Sequence, residues 1–333
     1  MKITKINNNY YFKDHDGETF KSIGCNSVSP GGSVDYITKR NIFKETYDKK
    51  FKSDSDWIEY INSFMDETKL NTYGAWCKGN LGYFKYSTPI IYTSKNNGGT
   101  DNDYTKKEWR DYAEQQIMEQ LAKDKDKKIL GYFIGNEMWW GRDWRKFSNQ
   151  TKEQTEAFFE TTNSILKNCS NTLNLGVRFV SACTPRYVLK IAGKYCDVIS
   201  VNFYKLRMGL EYIFPVILGH TMTLNCLKRF YQISGKPILI SEFGFRAITE
   251  NTPSTIKRIY PRYKNQKQRA EQLRNFIRMT NKPWIVGFHH FAYVDQPAGG
   301  RSNPADGENN NFGLIDVYLK EYYKYTDVFK EML

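Results

Sequence analysis

Short apolar runs alternate with amphipathic segments along most of this 333-residue chain. The runs predict buried strands, and the segments between them carry apolar residues at helical spacing. Eight strand–helix units of this kind predict a single (β/α)₈ TIM barrel domain over residues 1–333. The predicted strands are Thr19–Gly24, Asn71–Trp76, part of Tyr83–Tyr92, the run ending at Glu137, Phe179–Cys183, Asp197–Tyr204, Ile238–Glu242 and Ile285–Phe291. The predicted helices are Ser55–Leu70, Thr105–Leu121, Thr155–Cys169, Pro185–Tyr195, Met222–Ile233, Gln266–Thr280 and Leu319–Met332.

Local signals sharpen three of these elements. The turn sequence Asp14–Gly17 between Tyr10–Phe12 and Thr19–Gly24 predicts a short N-terminal β-hairpin. Ser53 or Ser55 can cap the first predicted helix, and Thr105-Lys-Lys-Glu reads as a capping box at the start of the next one.

Two of the apolar runs end abruptly in a glutamate, Glu137 and Glu242. They lie 242 − 137 = 105 residues apart, or three strand–helix units, which places them on strands four and seven. Those strand ends face each other across the mouth of an eight-stranded barrel, where barrel enzymes carry their catalytic residues. The alternative is that each glutamate merely ends a strand and meets a surface lysine. Two carboxylates about 5–5.5 Å apart are the pair that a retaining glycosidase needs.

Composition and net charge limit the classes of molecule that the protein is expected to bind. The chain has 24 Tyr, 21 Phe and 7 Trp, an aromatic content that fits both a large core and a sugar-binding cleft. Its net charge of +13 suggests an anionic glycan, or else only a compositional bias towards lysine. The basic residues form no long run and no nucleic-acid-binding motif, so neither nucleic acid nor membrane is expected as a partner.

Cysteine and histidine spacing gives no sign of a metal or cofactor. The six cysteines include no C-x-x-C pair, and no H-x-H or H-E-x-x-H motif occurs. His289 and His290 are adjacent on predicted strand eight, so one is expected to point into the barrel and the other towards the helices. The first ten residues lack the apolar core of a signal peptide, which leaves a cytoplasmic protein or a trimmed secreted one as alternatives. The sequence does not indicate the oligomeric state.

Candidate substrate-binding residues cluster at the predicted strand ends. Asn136 can bond a sugar hydroxyl beside Glu137, Trp139 can supply apolar surroundings or belong to the core or rim, and Tyr204 can donate to Glu242 or be an ordinary rim tyrosine. Arg246 can bind substrate or form a surface salt bridge. The polar loops after strand eight either bind sugar hydroxyls or stabilise themselves. The remaining candidates are Asn26, Trp76, His290, Asp295, Gln296, Arg301 and Glu308.

These residues resemble those of clan A glycoside hydrolases, and within the clan the β-agarase-type enzymes of glycoside hydrolase family 50. The segments that carry the resemblance are Gly131–Glu137, Ser241–Ala247, Tyr293–Pro297 with Arg301, and Asp306–Asn309. The resemblance implies that Glu137 is the acid/base and Glu242 the nucleophile. His290 stands where that family has the aromatic floor of its −1 subsite.

The sequence therefore predicts a retaining hydrolase of a β-linked glycan. An agar- or porphyran-type galactan is the first expectation, and β-glucan or mannan the next. The alternative is a catalytically inactive carbohydrate-binding barrel. Turnover of aryl β-glycosides separates the two.

Overall fold

The computed structural model describes residues 1–78, 81, 85–94, 102–140, 151–180, 184–204, 217–255, 261–301 and 308–332. Within these residues it has a mixed α/β fold with fifteen strands and eight helices. The end of predicted strand five lies outside the described residues, as do the starts of the loop motif Asp306–Asn309 and of Tyr83–Tyr92.

The strands, numbered in chain order, are β1 Lys2–Ile6, β2 Asn9–Lys13, β3 Thr19–Phe20, β4 Ser22–Cys25, β5 Thr72–Tyr73, β6 Tyr86–Ser87, β7 Ile90–Ile91, β8 Gly131–Ile134, β9 Leu173–Asn174, β10 Phe179–Val180, β11 Ile199–Asn202, β12 Ile238–Phe243, β13 Arg246–Ala247, β14 Arg262–Tyr263 and β15 Ile285–His290. The helices are α1 Ile42–Lys50, α2 Asp54–Glu67, α3 Lys107–Lys123, α4 Lys152–Cys169, α5 Arg186–Tyr195, α6 Ile217–Ser234, α7 Gln266–Thr280 and α8 Tyr323–Lys330.

Parallel pairing organises the strands that carry the site. Seven of them form one sheet in the order β10-β11-β12-β15-β4-β5-β6, and β7-β8-β9 form a second. Two isolated parallel bridges, Ser87 with Ile129 and Asn136 with Arg178, connect the two sheets. The carboxyl ends of β8, β11 and β12 consequently lie at one edge, because parallel strands end on the same side.

The N-terminal segment forms an antiparallel sheet, β1-β2-β3. The predicted hairpin is confirmed by the pairing of Phe12 with Phe20, but the run Thr19–Gly24 splits between β3 and β4. Phe12 is fully buried in an apolar cluster that contains no helix residue and lies on the inner face of the strands. The larger cluster lies between the strands and the helices. The N-terminal sheet therefore covers one end of the parallel strands.

The predicted capping residue is confirmed for helix α2 but not for helix α3. Ser53 and Asp56 form a capping box at the start of α2. The capping box expected at Thr105 is wrong, because α3 begins after Lys106 with no side-chain cap. The Thr105 hydroxyl donates instead to Asp103 at 2.6 Å. The Thr105 side chain therefore forms a local hydrogen bond with the Asp103 carboxylate and does not cap the backbone N–H groups of α3.

Candidate active site

Glu137 and Glu242 line one cavity of about 500 Å³ at the carboxyl ends of the parallel strands. Glu137 follows β8, and Glu242 lies near the end of β12. The apolar runs that precede them are buried along their whole length, so each run anchors its glutamate at the edge of the core. The predicted meeting of the two carboxylates at one rim is confirmed.

Glu242 is held by two hydrogen-bond donors. Tyr204 donates its hydroxyl to Oε1 at 2.5 Å, and Arg178 donates to Oε2 at 2.7 Å. Arg178 is fully buried, whereas 7% of Glu242 is exposed. One carboxylate oxygen therefore carries a phenol and the other a guanidinium, which fixes the plane of the carboxyl group.

Opposing effects act on the ionisation of Glu242. Burial raises its pKa above the usual range, the positive charge of Arg178 lowers it, the nearby Glu137 carboxylate raises it, and the hydrogen bond from Tyr204 lowers it. The net direction is upward. Glu242 therefore gains its charge at a higher pH than a solvent-exposed glutamate does.

Glu137 accepts a hydrogen bond from an amide side chain. Asn202 on β11 donates to Glu137 Oε1 at 3.2 Å and to Asn136 Oδ1 at 3.1 Å. The backbone of Glu137 has a φ of 48°, in the left-handed region that residues other than glycine seldom adopt. Such conformations concentrate at functional sites, where the surrounding structure holds them.

Two residues of this network were not predicted from the sequence. Arg178 bonds Asn136 Oδ1 at 3.0 Å as well as Glu242, and the amide of Asn202 accepts from Ser241 at 2.9 Å. Both lie inside apolar runs, where a charged or amide side chain costs free energy unless it is paired. A charged arginine inside the otherwise mostly apolar run Leu173–Val180 is the feature of the sequence that could have indicated a site residue.

Aromatic rings form the apolar walls of the cavity. Trp76, Phe291 and Phe312 line it together with Tyr204. The Trp76 ring lies edge to face with Phe291, at 6.0 Å between centroids, and its Nε1 donates to Tyr92 at 2.9 Å. A half-buried indole fixed in this way offers a flat surface on which a sugar ring can pack.

The loops after β15 supply the polar wall. Gln296 donates to Glu308, which also pairs with Arg301 at 2.8 Å. Asp295 is hydrogen-bonded to other protein groups. Its carboxylate accepts from Asn311 at 2.8 and 2.9 Å, from Tyr322 at 2.6 Å and from the backbone N–H of Gly313 at 2.7 Å. Burial raises the pKa of Asp295 to about 6. Its contacts are those of a residue that stabilises the loop.

Nine of the thirteen predicted site residues line this cavity. They are Trp76, Asn136, Glu137, Tyr204, Glu242, Asp295, Gln296, Arg301 and Glu308. Asn26, Trp139, Arg246 and His290 are not among the residues that line it.

Two of these four residues stabilise the strand ends and loops. Asn26 is fully buried, donates to the Ser241 carbonyl at 3.0 Å and accepts from the Ala75 N–H at 2.7 Å. Arg246 is 2% exposed and donates to Asn310 at 2.6 Å. Both side chains are therefore buried outside the lining of the cavity. Trp139 is half-buried outside the cavity, between the buried Met138 and Trp140.

His290 points towards the helices and not into the site. Its Nε2 lies 2.9 Å from the hydroxyl of Tyr325 on α8. His289 points the other way, towards Phe133 and the Ser22 hydroxyl. The expected division between the two histidines is therefore confirmed, and His290 is fully buried outside the lining of the cavity. Phe291, the next residue, lines the cavity.

Among the described residues, no three histidine, cysteine, aspartate or glutamate side chains are grouped so as to hold a metal ion. In the same residues no helix has the length and apolar character needed to cross a bilayer.

No family model matches the chain. β-Agarase A of Vibrio sp. (strain JT0107) is 30% identical over 176 residues, which cover 52% of this chain and 16% of that protein. The match therefore spans about a sixth of the relative's length.

Two solved structures extend the similarity over the whole fold. The structure of PfGH50B has a TM-score of 0.80 and 17% identity, covering 99% of this chain and 65% of the other. The agarase AgWH50C has a TM-score of 0.78 and 18% identity, covering 99% and 62%. The chain therefore shares the α/β fold of these two structures. The predicted resemblance to β-agarase-like enzymes is confirmed.

Proposed function

We propose that this chain is a retaining glycoside hydrolase that cleaves a β-linked galactan of the agar type. The observation that carries the proposal is the pair Glu137 and Glu242 in one cavity, with two donors on Glu242 and amides around Glu137. The sequence similarity to β-agarase A supports an agar-type substrate.

The mechanism assigns each carboxyl one role. Glu242 attacks the anomeric carbon as the glycosidic bond breaks, and Glu137 gives its proton to the leaving oxygen. Glu137 then takes a proton from water, whose oxygen displaces Glu242 and releases the sugar with its original configuration. The donors Arg178 and Tyr204 support the attacking role of Glu242, because both favour its charged form.

Asn136 is suited to bind the sugar 2-hydroxyl. Its Oδ1 accepts from Arg178 and Asn202, so its amide nitrogen is the atom that can donate to substrate. Trp76 would pack against a sugar face, while Gln296 and Glu308 would bind hydroxyls.

A neutral galactan fits the cavity better than a sulfated one. Among the described residues that line it, Lys78 and Arg301 are basic, whereas Glu137, Glu242, Asp295 and Glu308 are acidic. Arg301 is moreover paired with Glu308. The net charge of +13 is therefore not concentrated at the site.

We further propose that the strands close into the predicted (β/α)₈ barrel as a single domain. The bridges Ser87–Ile129 and Asn136–Arg178 support closure, because they join the two parallel sheets at two places.

Product analysis tests this function. The expected result is that the protein releases oligosaccharides from agarose and that proton NMR, recorded before mutarotation, detects first the anomer present in the substrate. Initial release of the opposite anomer would overturn the retaining mechanism. Hydrolysis of β-glucan or mannan by a protein that does not hydrolyse agarose would overturn the proposed substrate.

A further inference from the structure

Arg178 connects the ends of three strands. It is fully buried just before β10, and one of its terminal nitrogens donates both to Glu242 Oε2 at 2.7 Å and to the Ser241 carbonyl at 2.8 Å. Its other terminal nitrogen donates to Asn136 Oδ1 at 3.0 Å, next to Glu137. A planar guanidinium fork therefore touches one glutamate directly and the neighbour of the other.

The guanidinium itself is held from two sides. Its central carbon lies 4.3 Å from the centroid of the Trp76 ring and 5.4 Å from that of Phe133. Burial together with the charge of Arg178 lowers the pKa of the fully buried His289 to about 3. His289 is therefore neutral at neutral pH and adds no second positive charge to that of Arg178.

We propose that Arg178 is a positioning residue that fixes the spacing of Glu137 and Glu242 and selects Glu242 as the attacking carboxylate. This inference rests on the proposed function for its catalytic consequence, but not for its structural one. The selection follows from contact, because the guanidinium donates to an oxygen of Glu242 and to the side chain of Asn136, the residue before Glu137.

The charged and titratable groups around Glu242 predict the direction of the effect. Arg178 and Tyr204 favour its carboxylate, whereas Glu137 and burial favour the protonated form. Without the arginine charge, burial and the Glu137 carboxylate raise the pKa of Glu242 further, so Glu242 should stay protonated up to a higher pH.

The experiment compares R178M with R178K and with a matched control, R269M. Arg269 is also fully buried, but it donates to the carbonyls of Phe245 and Gly313, and its guanidinium lies 3.7 Å from the ring centroid of Tyr325. Loss of either arginine lowers the midpoint of thermal unfolding, so unfolding alone does not distinguish a positioning role.

The pH–rate profile on an aryl β-galactoside makes the distinction. R178M should lose about 100-fold in kcat, as expected when reacting groups move by about 1 Å, and its acidic limb should move to higher pH. R178K keeps the charge without the fork, so it should lose kcat while its acidic limb stays near that of the wild type. R269M should leave the limb in place. Equal effects of R178M and R269M on the limb would overturn the inference.

A second readout does not depend on turnover. Carbon-13 NMR of glutamate-labelled protein, with the Glu242 signal assigned by its absence in E242Q, follows the titration of this one carboxyl. Titration at higher pH in R178M than in R269M is expected, even for a protein that hydrolyses nothing. Identical titration in the two variants would overturn the inference, whereas a wild type without turnover would overturn only the proposed function.

Discussion

At the scale of single residues, the hydroxyl of Tyr204 is the contact on Glu242 that can be removed with least disturbance. Tyr204→Phe should lower kcat/KM by roughly 10- to 100-fold, the equivalent of about 1.5–3 kcal/mol for a hydrogen bond to a charged group. Its acidic limb should also move to higher pH, because the bond favours the carboxylate. Steady-state kinetics across pH measures both effects.

Tyr195→Phe is the matched control for that substitution. The Tyr195 hydroxyl donates to the Glu156 carboxylate at 2.8 Å on the helical side of the fold, far along the chain from either catalytic strand end. The same chemical change there should leave the pH profile as it is. A Tyr204→Phe enzyme with wild-type kinetics would show that the phenol is an ordinary rim residue.

Asp295 predicts a pH dependence of stability. Its pKa in the folded protein is about 6 against an ordinary 3.8, so the folded state holds this proton more tightly than the unfolded state does. The stabilisation is therefore complete below pH ~4 and is lost as pH rises through about 6, by up to about 3 kcal/mol. Urea unfolding of wild type and Asp295→Asn from pH 4 to 7 measures it. Parallel curves for the two proteins would contradict the assignment.

The sequence identified the two glutamates because each ends an apolar run, but it missed residues that only the fold brings close. Arg178 reaches Glu242 past one intervening strand, β11, and no spacing rule predicts that contact. The sequence also predicts that His289 and His290 point to opposite sides, but not which of them faces the helices. The register between β12 and β15 shifts at two places, so counting along the strand does not assign the two sides.

At the scale of elements, the N-terminal sheet closes the end of the strands opposite the site. Phe12 on β2 is fully buried among Leu130, Leu173 and Leu239. Phe12→Ala should therefore lower the free energy of unfolding by about 3–5 kcal/mol, the usual cost of such a truncation. Denaturant unfolding measures the loss.

Ile6→Ala on the neighbouring strand β1 is the control. Ile6 is 44% exposed, so its truncation should cost well under about 1 kcal/mol. If Phe12→Ala cost no more than this, the N-terminal sheet would be an appendage and not part of the core.

Long amphipathic helices were predicted well and short elements poorly. Gln266–Thr280 matches α7 at both ends, because Asn265 caps it and its apolar face is regular. Helix α1 was missed, since its nine residues bury only Phe43 and Tyr47. Strand β1 was missed as well, because its sequence alternates weakly and it is largely exposed.

At the scale of the whole molecule, the net charge of +13 is not shared by the described residues that line the candidate cavity. The acidic residues that line the cavity outnumber the basic ones, so hydrolysis of a neutral galactan should not depend on long-range attraction. KM for agarose oligosaccharides should be the same at low and high salt, because screening has no attraction to weaken. A KM that rises steeply with salt would indicate an anionic substrate instead.

The division of labour between the two glutamates is the central claim, and one set of rates tests it most directly. Wild type, Glu137→Gln and Glu242→Gln are assayed on two aryl β-galactosides, one with an acidic and one with a basic leaving group. Glu242→Gln should turn over neither substrate, since no nucleophile remains, whereas Glu137→Gln should keep part of its activity on the acidic leaving group, which needs little protonation. Equal loss on both substrates in both variants, or a wild type that turns over neither substrate, would contradict the account.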